Sequence, residues 1–181
     1  MRYIIEGIKC SGKTTLSIKL KENYRKITII EYRGSTLKNA EPVELHTKWR
    51  ERLRLIASAC KSLGDEYIIL LRGHLFPFAI NEGQIGKAMS ISVFRSLDDL
   101  FKESMMSLVL LTVSKEAFMT RYIRRINECI IKNAKLLKWE EMKRIQEAYI
   151  KYYDISSMRK AIYDTTNTSV EQLIMQISRE C

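Results

Sequence analysis

Five short, continuous apolar runs restrict the fold of this 181-residue chain more than any other feature. They are Tyr3-Ile4-Ile5, Ile27-Thr28-Ile29-Ile30, Tyr67–Leu71, residues 108–113 and Ala161-Ile162-Tyr163. β-Branched and aliphatic residues dominate them, without the polar alternation of a half-solvated strand. Helix-period stretches separate them. These are residues 14–24, residues 44–63, a short helix opened by a capping box at Ser96-Leu97-Asp98-Asp99, a helix capped by Ser114 and running to about Arg125, residues 139–156, and a last helix opened by a capping box at Ser169-Val170-Glu171-Gln172. Leu16, Ile18 and Leu20 are expected to face the core, as are Leu45, Trp49, Leu53, Ile56 and Cys60. Strands of this kind, joined by helices, make a parallel sheet with helices on both faces, an α/β fold. Ligands bind such sheets beyond the carboxyl ends of the strands. Functional residues are therefore expected after Ile5, Ile30, Leu71 and Val113.

The segment after the first run meets that expectation. Gly7-Ile8-Lys9-Cys10-Ser11-Gly12-Lys13-Thr14 matches G-x-x-x-x-G-K-[ST] at every fixed position, with a strand before it and a helix after it. The glycines let the backbone wrap closely around phosphates. Successive N–H groups and the helix N-terminus supply partial positive charge. Lys13 is expected to reach the β- and γ-phosphates of ATP, and the Thr14 hydroxyl to ligate Mg²⁺. Gly7, Lys9, Cys10, Ser11, Gly12 and Thr15 complete the expected donor-nucleotide contacts. Cys10, among phosphate-binding amides, is either a reactive thiol or a small side chain that fits the loop.

Composition narrows the partners. Lys plus Arg is 31 against 21 Asp plus Glu, a net +10 that calls for an anion: nucleotide, nucleic acid or acidic membrane face. No apolar run approaches the roughly 18 residues of a membrane span. Cys10, Cys60, Cys129 and Cys181 form no C-x-x-C pair, and scattered cysteines fit a reducing cytoplasm. Two histidines, His46 and His74, argue against a His-based metal site.

The chain resembles the P-loop nucleoside monophosphate kinases, and among them the thymidylate kinase-like group that includes viral deoxynucleotide kinases. The resemblance rests on Ile5-Glu6-Gly7 leading into the glycine loop, Leu70-Leu71-Arg72-Gly73-His74, residues 108–116, Arg121, Arg124 and Arg125, and Tyr163-Asp164-Thr165-Thr166. It implies a three-layer fold with strand order 2-3-1-4-5, one kinase domain over residues 1–181 and a short lid near residues 121–140. It implies ATP as donor, Mg²⁺, and a nucleotide acceptor. Arg72 matches the arginine that clamps the acceptor and the transferring phosphate. Arg121 and Arg125 match lid arginines that neutralise the γ-phosphoryl group. Arg33 lies where the family grips the acceptor phosphate.

Two departures bear on the acceptor. The acid that usually precedes the arginine after strand three is replaced by Leu71. Glu31 is the nearest substitute, as base or outer-shell Mg²⁺ ligand, or else a strand-end acid paired with Arg33. Lys9 stands where thymidylate kinases carry an Asp that contacts the sugar hydroxyl, and a Lys there favours an anion such as a 3′-phosphodiester. His74, Phe76 and Phe78 either line an acceptor-base pocket or belong to the core. Asn167, after strand five, borders the donor adenine or forms a plain helix turn.

The leading expectation is therefore transfer of the γ-phosphoryl group of ATP to a deoxynucleoside monophosphate, such as thymidylate or a modified pyrimidine. The alternative is a kinase acting on a hydroxymethylated pyrimidine within DNA, with Lys48, Arg50, Arg52 and Arg54 as backbone contacts. A third reading is a nucleotide-binding protein without transfer activity. A homodimer is left open.

Overall fold

The structure is a computed structural model that describes residues 2–24, 26–31, 42–63, 67–128 and 137–180, with the side chains of residues 42–46 and 180 excepted. Its strands are β1 (Arg2–Gly7), β2 (Ile27–Glu31), β3 (Tyr67–Leu71), β4 (Ser107–Thr112) and β5 (Lys160–Asp164). All pair in parallel, in the order β2-β3-β1-β4-β5. Seven α-helices occur among the described residues: α1 (Lys13–Asn23), α2 (Pro42–Ser62), α3 (Leu75–Ile80), α4 (Ile91–Glu103), α5 (Lys115–Asn127), α6 (Trp139–Ile155) and α7 (Val170–Glu180). This is the three-layer fold expected from the alternation of apolar runs and helices.

Strand alternation sorts the core into two halves. Ile4, Ile68, Leu70, Leu108 and Leu110 face one side, packed with α2 to α6 through Leu53, Phe78, Phe94, Phe118 and Tyr152. Tyr3, Ile5, Ile69, Val109 and Leu111 face the other, under α1 and α7 through Leu16, Leu20, Leu173 and Ile177. Trp49 is buried in α2, as its spacing predicts. Two capping expectations hold. Ser114 Oγ accepts from the Ala117 N–H, and Ser169 and Gln172 bond reciprocally at the start of α7.

Three expectations need correction, and one helical stretch was not expected. Ile18 is 52% exposed, because α1 buries only the stripe through Leu16 and Leu20. β2 is half-exposed, since the strand order leaves it at the sheet edge. Ser96-Leu97-Asp98-Asp99 opens no helix: α4 starts at Ile91, and Asp98 points inward. The chain between β3 and α4 is also helical, in α3 and a π-helical turn at Asn81–Ile85. Pro77 is accommodated there because it falls in the first turn of α3, where N–H groups lack an intrahelical partner. No helix among the described residues is long and apolar enough to cross a membrane.

Candidate active site

The register brings the carboxyl ends of all five strands to one edge of the sheet. Ile5 lies beside Leu71, Gly7 beside Leu111, Glu31 beside Leu71, and Thr112 beside Asp164. The glycine loop leaves β1 there and enters α1. Gly7 has φ +136°, and a Cβ would collide with the Leu111 carbonyl oxygen, so only glycine fits. Cys10 is buried with φ 61°. Lys13 folds back over the loop, its Nζ donating to the carbonyls of Gly7 (2.7 Å) and Ile8 (2.6 Å) and to Ser11 Oγ (3.4 Å). Burial, then the neighbouring Arg72 charge, lowers its pKa to about 7.

Beneath the loop lies an acid that the sequence reading did not single out. Glu6 is fully buried. Its Oε1 accepts the N–H groups of Leu75 (3.1 Å) and Phe76 (3.3 Å), while Oε2 has no hydrogen-bond partner among the described residues. Burial raises its pKa to about 7 against the pull of Lys13 and three backbone N–H groups. Burial and this carboxyl also drive the Tyr149 hydroxyl well above its usual range, although the pair lacks hydrogen-bond geometry. The signal was present in the sequence: an acid interrupting an apolar strand.

Arg72 leaves β3 in the left-handed region (φ 65°), a conformation costing about 1 kcal/mol for a side-chain-bearing residue. Its N–H is held by the Ile5 carbonyl (3.2 Å). The guanidinium lies 3.8 Å from Glu31 and 5.6 Å above the Phe76 ring. Glu31 therefore meets Arg72. Arg33, the partner considered for it, lies outside the described residues, as do residues 129–136 of the expected lid.

Two cavities open at this edge. One, of about 240 Å³, is lined by the loop and the start of α1 (Lys9, Cys10, Gly12 to Thr15), by Arg72, Arg121, Arg124 and Arg125, and by Thr165, Thr168, Val170 and Leu173. The other, of about 530 Å³, is lined by Gly7 to Lys9, Lys13, Glu31, Arg72, Phe76 and Ile80, and by Gln84 facing Leu137, Glu141, Met142, Ile145 and Tyr149. Lys9, Lys13 and Arg72 belong to both walls. Arg121 and Arg125 share a face of α5, as their i, i+4 spacing predicts. Arg121 is tethered to the Cys10 carbonyl (3.2 Å) and to the hydroxyl (2.9 Å) and carbonyl of Thr165.

Three expected site residues are placed elsewhere. His74 is fully buried between Phe94 and Phe101, with Nε2 2.8 Å from Asp98. Phe78 is fully buried against Phe94 and Tyr152. Phe76 takes the wall position instead. The reason is the helical turn of α3, which points residues 75 and 78 inward and residue 76 towards the cavity. Asn167 is exposed and outside the first cavity's wall, to which Thr165 and Thr168 contribute.

No protein-family model matches the chain, and no curated protein matches its sequence. Solved structures do match its shape. YorR from Bacillus subtilis, bound to phosphorylated GDP, superposes with a TM-score of 0.74 at 17% identity, over 99% of this chain and 94% of that one. Deoxyadenosine kinase from M. mycoides, with products dCMP and dCDP, gives 0.63 at 15% identity over 100% of both chains. Thymidylate kinase from Candida albicans gives 0.51 at 14% identity, over 98% of this chain and 88% of that one. The chain therefore has the fold of the P-loop deoxynucleoside and nucleotide kinases.

Proposed function

We propose that this chain is an ATP-dependent nucleotide kinase, one domain over residues 1–181 with a lid near 121–140, that transfers the γ-phosphoryl group to a deoxynucleoside monophosphate. The observation that carries this reading is the pair of adjoining cavities sharing Lys9, Lys13 and Arg72. Phosphoryl transfer needs two substrates in line and cations around the equatorial oxygens, with little covalent chemistry from the protein. The smaller, phosphate-binding cavity takes the donor. The larger one is of nucleotide size, with apolar walls for sugar and base.

Each residue then has a role. Backbone N–H groups of Lys9 to Thr14 and the N-terminus of α1 cradle the donor phosphates. Lys13 exchanges its carbonyl partners for phosphate oxygens, and an arriving anion restores its positive charge. Arg72, aimed from β3 at the junction, holds acceptor and transferring phosphate together. Arg125, with Arg121 docked on the loop, neutralises the γ-phosphoryl group. Glu31, beside Arg72, would serve as base towards the acceptor or as an outer-shell Mg²⁺ partner.

Mg²⁺ fits these residues. The exposed Thr14 hydroxyl offers a protein oxygen, and no group of three His, Cys, Asp or Glu side chains able to cage a metal occurs among the described residues. That suits an ion held largely through substrate phosphates and water. When bound, it neutralises charge across the β- and γ-oxygens.

The test offers γ-labelled ATP with a panel of deoxynucleoside monophosphates and with duplex DNA carrying hydroxymethylated pyrimidines. Label on a mononucleotide is the expected result. Label on the polymer makes the chain a DNA kinase, and ATP binding without transfer removes the enzyme reading.

A further inference from the structure

The far end of the larger cavity carries a built polar pair. Gln84, on the π-helical turn, donates from Nε2 to Glu141 Oε1 at 2.9 Å across the cavity wall. The two elements are pressed together there. Gly83 approaches α6 so closely that a Cβ would lie 2.5 Å from the Ile145 Cα. Glu82 accepts from Lys151 (2.6 Å) and from the Tyr152 hydroxyl (2.8 Å). Arg144 Nε donates to the Gly83 carbonyl at 3.4 Å. These contacts fix the two backbones from which the exposed Gln84 and the half-exposed Glu141 reach each other.

Their place along α6 fits a base edge. Glu141, Met142, Ile145 and Tyr149 follow one helix face into the cavity. Tyr149 lies beside Glu6, under the phosphate loop, and Glu141 is eight residues earlier, about 12 Å along the axis. A nucleotide with its phosphate at Arg72 and Lys13 therefore points its base past Phe76, Ile80, Met142 and Ile145 towards Gln84 and Glu141.

We infer that Glu141 and Gln84 read the base of the acceptor, and that this base is guanine; the inference rests on the acceptor cavity assigned above. An ionised carboxylate is an acceptor with two oxygens, and the second Gln84 N–H is a donor. Guanine alone among the four bases sets two donors side by side, N1–H and the 2-amino group, with O6 as the adjoining acceptor. Both Glu141 oxygens and the Gln84 N–H are matched. Adenine, cytosine and thymine each offer one donor at this edge, leave the second carboxylate oxygen to water and so lose one charge-assisted hydrogen bond relative to guanine.

Equilibrium binding to the full chain, measured by calorimetry with dGMP, dIMP, dAMP, dCMP and dTMP, tests this without requiring turnover. The expected result is dGMP tightest by about tenfold or more, with dIMP, which lacks the 2-amino group, weakened by about tenfold. Glu141→Gln removes the paired acceptors and is expected to bring dGMP to the level of the others at unchanged ATP affinity. Glu141 lies in the half-exposed first turn of α6, and the base panel on the unaltered protein needs no variant. Tighter binding of any other base, or equal binding of dGMP and dIMP, overturns the inference. Transfer of label from ATP to whichever base binds best then decides the kinase reading separately. Absence of binding by every mononucleotide overturns both.

Discussion

At position 6 an acid interrupts an otherwise apolar strand, and its environment turns that oddity into a pH response. The native Glu6 carboxyl has a pKa of about 7, above the ordinary 4.5, so between those values the folded state holds more protons than the unfolded chain. Stability contributed by this group is full below about 4.5 and falls as pH rises to about 7. Lys13 acts in the other direction. Its native pKa of about 7 lies below 10.5, so the folded state binds fewer protons between them and stability recovers as pH rises. Denaturant midpoints measured against pH are expected to pass through a minimum near neutrality, and Glu6→Gln to abolish the descending limb. An unchanged limb in that variant shows that Glu6 does not cause it. Lys13→Ala is expected to reduce phosphoryl transfer by about 10²–10³, as for loss of an oriented charge at a developing anion. Steady-state rates on folded variant protein measure it, and wild-type turnover would remove Lys13 from the mechanism. Lys13 was legible because its whole motif is local. Glu6 showed only as an acid in an apolar strand, because its effect depends on α3 and α6 closing over it.

The elements around the larger cavity are fixed by two contacts that no local pattern announces. One is the approach of the π-helical turn to α6 at Gly83. Gly83→Ala must push backbone from backbone, and about 1–3 kcal/mol of stability is expected to be lost. Acceptor binding is expected to weaken while ATP affinity holds, because the donor cavity shares neither element; calorimetry on both ligands separates the effects. The other contact is Asp98, which accepts from His74, from Ser156 Oγ (2.6 Å) and from the N–H of Ser157 (2.7 Å). It pins the turn after β3 to the end of α6. Burial pushes its pKa up, but these bonds outweigh it and hold it at about 2. Its stabilisation is therefore present above the ordinary 3.8 and is lost as pH falls towards about 2. Asp98→Asn is expected to cost about 3 kcal/mol near neutral pH and to flatten the acid limb of the unfolding profile. A capping-box pattern concealed this role, since the acid of Ser96-x-x-Asp is the exposed Asp99 and the buried Asp98 sits inside the pattern unmarked.

Across the whole molecule, the two cavities meet at three cations, so occupancy of one prepares the other. A non-hydrolysable ATP analogue and a deoxynucleoside monophosphate are each expected to raise Tm, and together to raise it by at least the sum, because both bind only the folded state. A combined shift no larger than that of the tighter ligand alone indicates one shared site and overturns the two-substrate arrangement. Part of the +10 charge surplus thereby has an address, at Lys9, Lys13, Arg72, Arg121 and Arg125 along this junction. The parallel sheet and the glycine loop were legible in the sequence itself, while the strand order and the roles of the arginines came with the family resemblance. Apolar runs, helix periods and a contiguous glycine motif act over a few residues, where the chain's chemistry is its geometry. Tertiary structure alone decided that His74 and Phe78 belong to the core, that Glu6 is the buried acid under the loop, and that Gln84 and Glu141 share the tip of one cavity. Those outcomes depend on which faces of α3, the π-helical turn and α6 meet, and residues 57 positions apart carry no local record of that meeting.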